Sequence, residues 1–180
     1  MILFTVVILT VLVGIEYSIG RIPFCACGVG LWTSSAWSTE TSQLFADPYS
    51  ASHLLHGVLF FGALWFLRKK ISLHWCFVIA LLLETGWEIL ENSPLIIDRY
   101  RAATASLDYY GDSIFNSVGD VLFALLGFWI AYRLPWEWTL ALVVVIELFM
   151  LWMFRDNLTL NVLMLIYPVQ GIREWQMMHG

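Results

Sequence analysis

Two histidines, His53 and His56, stand three residues apart, and Glu84, Glu88 and Glu91 follow at steps of four and three. Asp112, Asn116 and Asp120 repeat at four-residue steps, as do Asn157 and Asn161. On a helix, steps of three and four bring side chains to one face, so each set predicts a polar stripe. Carboxylates beside imidazoles pass protons as general acid and base, and they also hold divalent metals when presented from facing helices. His53, His56, Glu84, Glu88, Asp112 and Asp120 are therefore the candidate catalytic or metal-ligating residues. Zinc would favour the histidines and magnesium or calcium an oxygen shell, so the spacing leaves the metal open. The sequence contains no Gly-x-Ser-x-Gly elbow, His-Glu-x-x-His pair or phosphate loop that would name a reaction.

The elements that position these residues follow from composition. Of 180 residues, 60% are hydrophobic and only 13% charged, with a mean hydropathy of +0.77. That leaves too few charges to cover a water-facing surface, and the ten tryptophans suit membrane–water interfaces. A net charge of -5 argues against nucleic acid as a partner. A spanning helix needs about 20 apolar residues. The sequence predicts an all-α transmembrane bundle of five spans, at 2–19, 51–67, 73–90, 113–132 and 138–154. A shorter run at 158–172 contains Pro168 and Gly171 and reads as a half-helix, an interfacial helix or a short sixth span. The first segment reads as retained, because it lacks a basic start and a small-residue cleavage site. All 180 residues form one membrane domain, without repeats or low-complexity tracts.

Two long loops, 20–50 and 91–112, lie on one side of this bundle, and Arg68-Lys69-Lys70 and Arg133 on the other. The positive-inside bias then places the N-terminus in the cytoplasm and the long loops outside. Trp65, Trp75, Trp136 and Trp138 mark the inner interface. Every polar stripe falls at the helix ends facing the long loops, whichever way the protein points. A charge facing lipid costs several kcal/mol, so the stripes are expected to meet inside the bundle. Glu84 would lie about 10 Å deeper than Glu91. Arg99, Arg101, Tyr109 and Asn116 are the candidate substrate-binding residues, the arginines through their fork of donors for phosphate. Asn157, Asn161 and Ser117 read instead as interhelical hydrogen-bond glue. Glu147 sits mid-span with no evident partner. Cys25 and Cys27 read as unbridged loop residues, because a bridge across one residue rarely meets disulfide geometry.

Several segments resemble a family of small bacterial multi-pass inner-membrane proteins of unknown function. They are Phe24-Cys25-Ala26-Cys27-Gly28, the run Asp47-Pro48-Tyr49-Ser50-Ala51-Ser52-His53-Leu54-Leu55-His56-Gly57, and Trp87-Glu88-Ile89-Leu90-Glu91-Asn92-Ser93-Pro94. Ile97-Asp98-Arg99-Tyr100-Arg101, Asp108-Tyr109-Tyr110-Gly111-Asp112-Ser113 and Arg155-Asp156-Asn157-Leu158 carry the same likeness. The resemblance implies a bacterial cell-membrane location and supplies no activity. A looser likeness is to VanZ-like membrane proteins, whose namesake lowers susceptibility to a glycopeptide antibiotic. His53, Glu84 or Glu88, Arg101, Asp112, Asn116 and Gly119 fall in the order of that pattern, although the Lys that accompanies it is absent near Asp47. Three functions are then open. The pocket binds or processes a lipid or lipid-linked headgroup, with a divalent metal as a possible cofactor. Alternatively, the loops dock a membrane-protein partner, or the Glu84–Glu88 face carries protons or a solute.

Overall fold

A computed structural model describes residues 2–178. Among them are eight helices and no strand: α1 (Ile2–Ser18), α2 (Ser50–Trp65), α3 (Leu73–Glu91), α4 (Pro94–Ala103), α5 (Ile114–Arg133), α6 (Trp136–Phe154), α7 (Leu158–Ile166) and α8 (Gln170–Met177). Their boundaries follow from local chemistry. Ser72, Ser113 and Asn157 each hold an extended backbone and accept a hydrogen bond from the third residue onward, capping α3, α5 and α7. Pro94 opens α4 at a position where its missing N–H costs nothing. Arg155 turns left-handed, with φ of 52°, and ends α6.

Three helices, α3, α5 and α6, are long and apolar enough to cross a bilayer, at 19, 20 and 19 residues. The first two predicted spans come out shorter, with 17 residues in α1 and 16 in α2. α2 stops at Trp65, where the chain passes into tight turns before Ser72. The run at 158–172 divides into α7 and α8, because Pro168 lacks a donor and drives Tyr167 to an extended backbone. The long loop at 91–112 contains a helix of its own, α4.

α2 packs most extensively against α5. A Cβ on Gly57 would collide with the carbonyl oxygen of Ala124, and one on Gly127 with that of Leu54, so the two backbones touch through their glycines. α3 lies against α5 and α1, with Leu12, Leu81 and Val121 fully buried between them. α6 stands apart; Met150 is its one buried residue among those described. Loop 20–50 departs from the sequence reading, for Cys25 and Cys27 are joined by a disulfide. A turn in which Gly28 N–H donates to the Cys25 carbonyl brings their Cα atoms to 5.0 Å, within bridging range.

Candidate functional site

α2 delivers His53 and His56 from one face of its first turns, and α3 delivers Glu84 and Glu88 from the opposing face. His53 Nδ1 lies 2.7 Å from Glu84 Oε1 and 3.1 Å from Glu88 Oε1. His56 Nδ1 approaches the other Glu84 oxygen at 3.1 Å. α5 contributes Asp120, whose Oδ2 is 3.9 Å from His53 Nε2 and whose Oδ1 accepts a 2.8 Å bond from the Ser50 hydroxyl. Glu84 and Glu88 are wholly buried, and His53 and Asp120 nearly so. Glu84 therefore bridges two imidazoles, while Glu88 has contact with one. Neither Glu88 oxygen has an aligned hydrogen-bond donor among the described residues.

Asp112, the first of its stripe, sits apart in a satisfied network. Its backbone N–H donates to Asn92 Oδ1 at 2.6 Å, and the Asn92 amide returns a bond of 3.0 Å to Asp112 Oδ2. The Tyr109 hydroxyl donates to the same carboxylate at 3.1 Å. Asp47 is similarly enclosed: its oxygens accept the backbone N–H groups of Ser42 and Tyr49, at 2.6 and 2.7 Å. Burial pushes the Asp47 and Asp112 carboxyls above the ordinary carboxylate range and the Tyr109 hydroxyl well above 10. Asn116 donates to the Leu44 carbonyl at 2.8 Å and ties α5 to loop 20–50.

These groups border a cavity of about 580 Å³. His53, His56, Glu91, Asp112, Asn116 and Asp120 line one part of it, with Asp47, Tyr100 and Tyr109. Glu84 and Glu88 stand behind the imidazoles and do not line it. Phe60, Leu82, Leu83, Leu90, Leu158 and Val162 form the apolar part. Neither Lys nor Arg is among its described lining residues. The arrangement can share a proton among His53, His56, Glu84 and Asp120, or exchange it for a cation.

The arginines lie elsewhere. Arg99 donates to the carbonyls of Leu165 and Ile166 at the end of α7, and Arg101 donates to the Leu107 carbonyl and stacks on the Tyr110 ring. Both guanidinium groups are taken up by these carbonyls and the Tyr110 ring, and neither borders the cavity. Glu147 does have partners: its carboxylate accepts the backbone N–H groups of Leu158 and Thr159 and caps α7. Asn157 caps the same helix and donates through its amide to the Glu147 carbonyl of α6, and Asn161 accepts from the Tyr100 hydroxyl of α4, so both link helices. Sequence reasoning passed over Asn92 and Ser50 as site residues. The signal for Asn92 was present, since it continues the Glu84–Glu88 stripe by one more four-residue step.

The family described as protein of unknown function (DUF2585) matches residues 16–178. A UPF0314 protein of Paracoccus denitrificans is 51% identical over 159 residues, covering 88% of this chain and 82% of its own. Those of Rhizobium johnstonii and Sphingopyxis alaskensis are 48% and 49% identical over 170 residues, each across 94% of this chain, with 87% and 90% of their own lengths covered. No solved structure matches the chain significantly. The chain belongs to this bacterial family of unknown activity, DUF2585, whose members carry the UPF0314 name.

Proposed function

We propose that this protein spans the bacterial cell membrane five times, through α1, α2, α3, α5 and α6, and binds the headgroup of a lipid or lipid-linked molecule at the outer leaflet. The observation that carries this reading is the mixed lining of the cavity. Acids and imidazoles share it with Phe60, Leu82, Leu83, Leu90 and Val162. Leu82, Leu83 and Leu90 are also exposed on the outside of α3, where a bilayer would lie. A molecule with a polar head and an acyl or prenyl tail matches both surfaces at once.

Orientation is supported by two features at opposite ends. The Cys25–Cys27 disulfide favours an oxidising compartment for the long loops. Arg68, Lys69, Lys70 and Arg133 gather at the other end, as cytoplasmic loops do. Lined by carboxylates, the polar wall accepts hydrogen bonds from headgroup hydroxyls or an ammonium group. His56 reaches the cavity with Glu84 fixed behind its Nδ1, the arrangement that lets an imidazole take and return a proton.

Gly86 lines the cavity and has open space where a Cβ would go, so Gly86→Leu fills the site without disturbing the helix. Lipidomic comparison of cells lacking the gene with cells restored by wild type or Gly86→Leu tests the reading. A headgroup species should change on deletion, return with wild type and fail to return with the filled variant. Unchanged lipids in every strain would remove the reading and favour a docking role for the loops.

A further inference from the structure

We infer that His53, His56 and Glu84, joined by Glu88, form a binding site for one divalent transition-metal ion of the zinc type in the wall of the cavity. The inference rests on the headgroup reading for the metal's task, but not for its binding. One ligand atom from each of His53, His56 and Glu84 lies within 4.8 Å of the others, and His53 forms a second such group with Glu88 and Glu91. Both Nδ1 atoms converge on the one Glu84 carboxylate, at 2.7 Å and 3.1 Å, and a bound ion would take the place of these hydrogen bonds.

An independent observation points the same way. Glu88 is wholly buried, neither of its oxygens has an aligned hydrogen-bond donor among the described residues, and Oε1 faces the same His53 Nδ1 at 3.1 Å. A carboxylate held in that state within a bilayer costs several kcal/mol unless a cation meets it. No Lys or Arg ion pair reaches Glu84 or Glu88 among the described residues; imidazoles alone do. One divalent ion neutralises both glutamates and uses both imidazoles in their neutral form. Two nitrogens with carboxylate oxygens suit zinc, manganese or cobalt better than magnesium. Asp120, itself held by Ser50, lies 3.9 Å from His53 Nε2, near enough to orient the ligating imidazole after a small side-chain shift. With the ion present, the negative charge behind the imidazoles would be neutralised, and the cavity would repel a phosphate-bearing headgroup less strongly.

The test uses full-length protein in detergent, freed of its affinity tag, stripped with chelator, dialysed against zinc and assayed by elemental analysis. Wild type should retain about one zinc per chain, and cobalt in its place should show the visible absorption of a nitrogen–oxygen site. His56→Ala and Glu84→Gln should bind zinc at least ~10-fold more weakly, and Asp120→Asn roughly 10-fold. Trp152→Phe, at an exposed position of α6 away from the cavity, should bind as wild type does. Gel filtration reports which variants fold, and the half-buried His56 keeps the test available if Glu84→Gln does not. Wild type retaining less than about a tenth of an ion, or all variants retaining equal zinc, would overturn the site. Zinc binding with unaltered cellular lipids would keep the metal and remove the headgroup reading; altered lipids without zinc would do the reverse.

Discussion

The two ends of the helical bundle are built by different chemistry. At the long-loop end, Glu16, Glu84 and Glu88 are wholly buried and Asn92 nearly so. At the opposite end, rings do the packing: Phe128 meets Phe61 edge-on at 5.2 Å and Phe77 at 5.9 Å. The cations there stay at the rim, Arg68 3.3 Å above the Trp65 ring and Arg133 5.2 Å from that of Trp129. Each end has a cavity, one of about 580 Å³ bordered by acids, the other of about 260 Å³ bordered by Phe61, Trp65, Tyr132 and Arg68. Ring packing holds helices together without any buried charge. The acids at the other end are thus not needed merely to close a bundle of this kind. Within that end a further division holds, between Asp112, whose bonds are complete, and Glu88, whose bonds are not.

Substitutions can break or sharpen this contrast. Gly57→Leu attacks the α2–α5 seam shared by both ends, and the clash with a backbone carbonyl should exceed the ~3 kcal/mol usual for overpacking. Size-exclusion chromatography with a fluorescent tag should show no folded peak. Phe128→Ala empties the ring cluster and should cost about 3 kcal/mol in denaturant unfolding, while zinc retention stays within a factor of about two of wild type. Asn92→Ala should cost about 2 kcal/mol at the polar end, because Asp112 then loses its buried partner.

A pH effect comes next in size. Asp156, between α6 and α7, is pushed up to about 6 from 3.8, first by burial. A raised folded value means that the folded chain holds this proton more tightly than the unfolded one. The cost of burying the charge is complete above about pH 6 and fades as pH falls toward 3.8. Asp156→Asn should therefore raise the melting temperature at pH 7.5 by a few degrees and flatten its change between pH 4.5 and 7.5. Glu88→Gln comes last: in chelator-stripped protein it should not lower stability by thermal melting, since the carboxylate has no aligned hydrogen bond to lose and its buried charge is itself costly. The same variant should bind zinc more weakly. A large loss of stability would instead make Glu88 a structural residue.

Much of the polar end was legible from spacing alone. His53 with His56, and Glu84 with Glu88, share helix faces by arithmetic, and the avoidance of lipid by charge predicts that the faces meet. Orientation of long side chains was not legible. Arg99 reaches carbonyls at the end of α7, a partner set by tertiary placement some sixty residues later in the chain. Glu147 looked unpartnered because its partners are the backbone donors of a helix start, which no side-chain pattern announces. Helix lengths were legible only to within a turn or so. α2 ends at Trp65, two residues before the predicted boundary, because apolar residues continue into the turns beyond it. The Cys25–Cys27 bridge depended on a turn at Gly28 that spacing does not encode.

The central claim is that the cavity beside His53 and His56 holds an amphiphile. Native mass spectrometry of the protein released gently from membranes measures this directly, by comparing wild type with Gly86→Leu. The account predicts a discrete lipid or lipid-linked species bound to wild type and missing from the variant, with both proteins equally folded. The same lipids in the same amounts on both proteins would contradict it.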